Sequence, residues 1–236
     1  MAWTHTQTLL GPDGTATSST TIALTLGATV SANALVVGTV FWGSDTVTVN
    51  GVADDKGNTY TVIDTQHSTG DGASFAQFYK EGITNGPITI TVTLSATSAF
   101  RRICVSEYAG IATSASIDAH NVRWIGSFGT TANAVTSNSA TTTANGDLIR
   151  GSFFDTSGNN SLMTAGTSPN VFNQRAANSA SQAVPCVVED FLQATAAAIT
   201  ATATQTVNDN ILCSIVTFKA SVASDTLFGS KAMVMM

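Results

Sequence analysis

The chain has 236 residues, 43% hydrophobic and only 10% charged, with 9 Lys and Arg against 15 Asp and Glu for a formal net charge of −6. Disordered chains pair low hydrophobicity with high charge, and nucleic-acid binders need a basic stripe to neutralise phosphates; this composition excludes both. No apolar run approaches the roughly 20 residues of a membrane span.

The N-terminus, M-A-W-T-H-T-Q-T-L-L, lacks the charged and long apolar regions of a signal peptide. The expectation is therefore synthesis in a cytoplasm, with residues 1–19 as an N-terminal segment. From there, alternation with period two replaces helical periodicity. Strands are predicted over Thr21 to Leu26, Leu35 to Trp42, Thr46 to Asn50, Thr59 to Asp64, Ser74 to Lys80, Ile88 to Leu94 and Arg102 to Tyr108. They are rich in Val, Ile, Thr and aromatics, which suit a pleated surface. Turn residues separate them at Asn50-Gly51, Lys56-Gly57-Asn58, Asp71-Gly72 and Asn85-Gly86-Pro87. Short strands at spacings of about 8–12 residues predict an antiparallel β-sandwich, jelly-roll or immunoglobulin-like.

An internal repeat organises the rest. Ala32 to Phe41 (A-N-A-L-V-V-G-T-V-F) matches Ala144 to Phe153 (A-N-G-D-L-I-R-G-S-F) with one residue inserted, residues 87–94 match 197–204, and 102–108 match 211–218. Offsets near 110 residues predict two diverged copies of one seven-strand plan, repeat one at 20–110 and repeat two at 132–220. The joining segment 111–131 is too apolar for a free linker, with Ile117, Val122, Trp124, Ile125 and Phe128. This favours halves interleaved as one large sandwich over two small ones. Residues 221–236 form an apolar tail containing Leu227, Phe228, Met233, Val234, Met235 and Met236, a candidate arm for docking on another subunit.

Chemistry is sparse. His5, His67 and His120 stand apart from any Cys or Glu at zinc-ligand spacing, and there is no nucleophile elbow or P-loop. Glu81, Glu107 and Glu189 are the only glutamates. Glu107 and Glu189 could share a groove as a glycosidase pair, but exposed cross-strand carboxylates are the commoner arrangement. Asp54-Asp55-Lys56-Gly57-Asn58 fails the EF-hand pattern and reads as a hairpin turn, with a loop calcium site left open. Cys104, Cys186 and Cys213 read as free core thiols, with Cys104 and Cys213 in matching places. Among the tryptophans, Trp42 reads as core, whereas Trp3 and Trp124 are candidate glycan contacts, Trp3 being the more exposed. No catalytic residue, metal site or cofactor is expected.

Asp54 to Tyr60 (D-D-K-G-N-T-Y), R-R-I-C-V-S-E-Y-A-G at 101–110, T-T-A-N-G-D-L at 142–148 and V-T-F-K-A at 216–220 together resemble the two-repeat β-sandwich proteins of tailed-phage virions and bacterial surfaces. The resemblance implies a non-enzymatic virion structural protein, decorating a capsid or forming part of a tail or fibre. Its implied partners are other virion subunits, in a homo-oligomer such as a trimer, with a host glycan as a further ligand. A carbohydrate-binding surface module is the alternative, and a glycan-degrading enzyme the third.

Overall fold

The computed structural model describes residues 3–12, 14, 16–126, 134–157, 161–179 and 182–222. The described residues form eighteen strands and no helix. The first half of the chain holds β1 (Thr4–Leu10), β2 (Ser19–Thr25), β3 (Leu35–Trp42), β4 (Val49–Asp54), β5 (Thr61–His67), β6 (Ser74–Lys80), β7 (Thr89–Ser98) and β8 (Arg102–Ala109). The second half holds β9 (Ile117–Ile125), β10 (Ala134–Thr136), β11 (Ala140–Thr141), β12 (Asp147–Asp155) and β13 (Met163–Ala165). It continues with β14 (Asn173–Ala177), β15 (Cys186–Gln193), β16 (Ala198–Ile199), β17 (Thr202–Gln205) and β18 (Ile211–Phe218).

All strand pairs are antiparallel. In the first half a five-stranded sheet, β1-β8-β3-β6-β5, covers a three-stranded one, β2-β7-β4. In the second, the five-stranded sheet is β14-β15-β12-β18-β9, covered by β10-β17-β13 and the short pair β11-β16. Read from the other edge, this second large sheet runs β9-β18-β12-β15-β14, the order of the first sheet strand for strand. Each half thus encloses its own core. One comprises Ile22, Trp42, Val52, Phe78, Ile90 and Val105 with their neighbours, the other Val135, Phe153, Met163, Val187, Ile211 and Ile215 with theirs.

The two five-stranded sheets then pack back to back. Two further apolar clusters lie between them, Leu35, Val37, Tyr108, Leu148 and Phe218 toward one end and Phe41, Phe75, Phe154 and Leu212 toward the other. Strand sequence explains which strands can sit there. Along the first six residues of β7, Ile90, Val92 and Leu94 point inward while Thr89, Thr91 and Thr93 face out. In β3 and β12 every residue is buried, because L-V-V-G-T-V-F-W and D-L-I-R-G-S-F-F-D carry large groups on both faces. Such runs suit strands covered on both sides.

The expected interleaving is not what forms. Every sheet is drawn from one half alone, so the halves stack as two sandwiches. The apolar joining segment is accounted for differently: its residues 117–125 become β9, an edge strand of the second large sheet. The N-terminal segment likewise supplies β1, paired with β8. The first half therefore has eight strands and the second ten, rather than seven each. Asn50-Gly51 is also not a hairpin turn. It lies inside β4, where the pairing to β7 shifts between Val49 and Gly51 as a bulge on an edge strand. By contrast, Gly57 (φ 82°), Gly72 (φ 63°) and Gly86 (φ 54°) occupy the left-handed region that their turns require.

Gly38 and Gly151 show how alike the two cores are. A Cβ on Gly38 would lie 2.1 Å from the Phe78 ring, and one on Gly151 would lie 2.7 Å from Ala201 and 2.8–2.9 Å from Glu189. Phe78 and Glu189 are the direct cross-strand partners of these glycines. Gly38→Ala must push aside a fully buried ring, so it should lower stability by about 1–3 kcal/mol. A urea denaturation midpoint equal to wild type would show that the Phe78 contact is not the constraint described.

Candidate functional site

The structure separates the residues that the sequence offered for chemistry. Trp3 is only 8% exposed, packed edge-on to Tyr108 at 5.6 Å between ring centroids. Trp124 is half-buried against the Phe41, Phe75 and Phe154 cluster. The indole nitrogens of both are buried without a hydrogen-bond acceptor among the described residues. The expected exposed glycan platform at Trp3 is thus a packed side chain, drawn in because β1 joins the sheet. Leu227, Phe228, Met233, Val234, Met235 and Met236 lie outside the described residues.

Glu107 and Glu189 are both fully buried rather than exposed on the strands. Glu107 accepts hydrogen bonds from the Gln7 amide at 2.6 Å and the Ser31 N–H at 2.8 Å. It shares a face with Val105, toward the first core. Glu189 accepts from the Gly166 and Thr202 backbone N–H groups, at 2.8 and 3.2 Å, and shares a face with Val187, toward the second core. The two back-to-back sheets stand between them, and stacked sheets are about 10 Å apart. These carboxylates therefore do not form a glycosidase pair, which needs both on one cleft. Glu81 closes a loop, accepting from the Ala115 and Ser116 N–H groups.

Asp54 is the hub of its own turn. It accepts from the Lys56 and Asn58 N–H groups, the Asn58 side-chain amide and the Tyr60 hydroxyl. Asp55 accepts from the Ile88 and Thr89 N–H groups. N–H and O–H donors thus occupy the oxygens that a calcium ion would need, and the turn accounts for the D-D-K-G-N-T-Y motif. No cluster of three metal-ligating side chains occurs among the described residues. His67 pairs with Ser74, while His120 contacts Asp64 at 2.5 Å and ties the edge strands β9 and β5 together.

All three cysteines are buried, and no disulfide joins them. Burial pushes the Cys104 thiol up to about 11 and Cys213 up to about 12, which leaves them unreactive. Their places do not match. Cys104 lies opposite Thr39 and points between the sandwiches, whereas Cys213 lies opposite Phe153 and faces the second core. The register sets Ile103, not Cys104, in the position of Cys213.

Two polar features remain that the sequence did not announce. The first is a row between the stacked sheets. Thr39 and Ser152, at the same position on β3 and β12, meet at 3.0 Å, and the buried Arg150 guanidinium donates to both hydroxyls at 2.8 Å. One strand over, Asp190 accepts from the Tyr108 hydroxyl at 3.0 Å and from Arg175 Nε at 2.5 Å. Residue type alone could not have flagged Arg150, because nothing in R-G-S-F tells which face of the strand is covered.

The second is a cavity of about 230 Å³ at the Phe41 end of the stack, where loops from both halves converge. Phe41, Phe100 and Val184 form its apolar walls, and Asp71, Asp155 and Thr156 its polar side. Asp71 is fixed by the Thr156 hydroxyl at 2.6 Å and by the Asn210 side-chain amide at 3.0 Å. Asp155 accepts from the Ser157 N–H. Arg102 lies close by and donates to the Val184 carbonyl and to Gln182. Compared with known proteins, the chain matches no family model, no curated protein and no solved structure.

Buried acids give the fold a pH signature. Burial raises Glu189 from the ordinary 4.5 to about 8, despite its two N–H donors. Burial, and then the neighbouring Asp118 carboxylate, raises Asp147 from 3.8 to about 7. Below the unfolded values both carboxyls are protonated in either state. As pH rises toward the folded values only the unfolded chain loses the protons, so stability falls. The fall should run from about pH 4 to 8, at up to about 1.4 kcal/mol per pH unit for each group. Urea midpoints measured from pH 5 to 8 should decline, with a shallower slope in Glu189→Gln. Equal slopes in variant and wild type would exclude Glu189 as a source.

Proposed function

We propose that the protein is a non-enzymatic structural subunit of a bacteriophage virion, decorating the head or forming part of the tail or fibre apparatus. The observation that carries this reading is where the charge goes. Arg102, Glu107, Arg150, Asp155 and Asp190 are each at most 1% exposed. A chain already poor in charge thus spends much of it inside, on contacts within and between the sandwiches. What faces outward on strands such as β7 is threonine. A rigid body with few mobile charged side chains suits a subunit that is covered by neighbours and must persist outside a cell.

Two further features support the reading. The coincident strand orders fit two copies of one unit, as in the two-repeat virion sandwiches that the sequence motifs resemble. The apolar run Leu227, Phe228, Met233, Val234, Met235 and Met236 provides an adaptable surface for attachment to a partner subunit.

Particles purified from a lysate that expresses the gene should contain this chain in fixed stoichiometry to the major structural proteins, by quantitative mass spectrometry. Deleting residues 227–236 should leave the circular-dichroism spectrum and melting of the sandwiches intact and remove the chain from the particles. Full occupancy by the truncated chain would reject the attachment role of the tail. Absence of the intact chain from particles would reject the virion reading itself.

A further inference from the structure

We propose that the cavity between the two halves is a binding site for a single sugar ring, with Phe100 as its stacking platform and Asp71 as its hydroxyl acceptor. The inference goes beyond the virion reading and does not depend on it.

Phe100 is the starting observation. It follows β7 in the tight connection to β8 and sits at φ 49°, in the left-handed region that a bulky residue rarely occupies. Such a conformation costs free energy and persists only where the surroundings impose it. Two glycines leave room for it: a Cβ on Gly14 would lie 3.0 Å from the Phe100 carbonyl carbon, and one on Gly43 would lie 3.1 Å from its ring. The strain is not offset by burial, because Phe100 remains 43% exposed. A strained backbone that presents an aromatic face to solvent at the mouth of a cavity is an arrangement expected of a ligand platform.

The remaining walls restrict the ligand. At about 230 Å³ the space is below the range of drug-sized pockets, which fits one six-membered ring. Phe41 and Val184 add apolar surface for the C–H face of such a ring, while Asp71 and Thr156 add oxygens to the lining. The Asp71 carboxylate is pre-positioned by Thr156 and Asn210, so it need not be ordered when a ligand arrives. Two carboxylates disfavour phosphates and other anions. The buried Arg102 beside Val184 offsets their charge, which favours a neutral polyol over a cation. One apolar face and one hydroxyl-rich edge together describe a pyranose.

The test uses the full-length, ¹⁵N-labelled protein titrated with the methyl glycosides of glucose, galactose, mannose and N-acetylglucosamine. At least one should shift the amides of Gly43, Gly72, Ala73 and Phe100, with a Kd on the order of 1–10 mM, typical of so small a ligand. Phe100→Gly relieves the positive φ, so it should keep or raise the melting temperature while weakening binding at least tenfold. Asp71→Asn should weaken binding with the fold retained. A glycan array separates the sources: binding there identifies the terminal residue of a glycan chain, and glycoside binding without it identifies a free sugar, and both uphold the assignment. If putrescine shifts these amides and no glycoside does, the site takes cations and the proposal is overturned. It is equally overturned if no glycoside perturbs them, or if Phe100→Gly binds as tightly as wild type.

Discussion

The structure depends on the contact between the β3 and β12 faces. Each half can close a conventional sandwich only on one side of its large sheet, and the other side carries Leu35, Val37 and Phe41 or Leu148 and Phe154. Left open, those faces would be extended apolar surfaces. Packing one large sheet on the other covers both, and the contact pairs like with like. Thr39 meets Ser152, and Phe41 stacks on Phe154 at 5.8 Å with the rings within 8° of parallel. Such self-complementary pairing is the rule at twofold interfaces between subunits; here it joins two halves of one chain. Arg150 breaks the symmetry. It stands where the first half has Val37, and its guanidinium binds the central hydroxyl pair.

Stacking also determines where polar chemistry can sit. The inner strands of both large sheets are covered on both faces, so an ionisable group buried there is desolvated. Asp190, Tyr108 and Arg175 satisfy one another in the seam, and Glu107 takes donors from Gln7 and Ser31. At the Phe41 end of the stack, where loops from both halves meet, carboxylates, an aromatic ring and open space coincide. The junction cavity is thus a consequence of the two-sandwich arrangement.

Much of the β architecture was legible because side-chain alternation is a local signal. Leu35 to Trp42 and Ser74 to Lys80 were read with the bounds that β3 and β6 have, and Trp42 as core. The misreadings came from effects that are not local. Residues 4–10 and 117–125 have weak alternation, and become strands only because β8 and β18 offer them an edge. Asn50-Gly51 carries turn chemistry, yet the β7 partner holds it in a bulged strand. The burial of Trp3, Glu107 and Glu189 depends on which sheet covers which, and spacing along one strand does not encode that. Phe100 was invisible for the same reason, since the room for its left-handed backbone comes from Gly14 and Gly43, distant in sequence.

The seam between the large sheets makes two separate cores into one cooperative structure. Native-state hydrogen exchange measured across a low-denaturant series tests it most directly, through the amides of Val37 to Phe41 in β3 and of Arg150 to Phe154 in β12. Both sets should exchange through a single global opening with the same free energy and denaturant dependence. Two distinct opening free energies, with one half protected while the other exchanges, would contradict it.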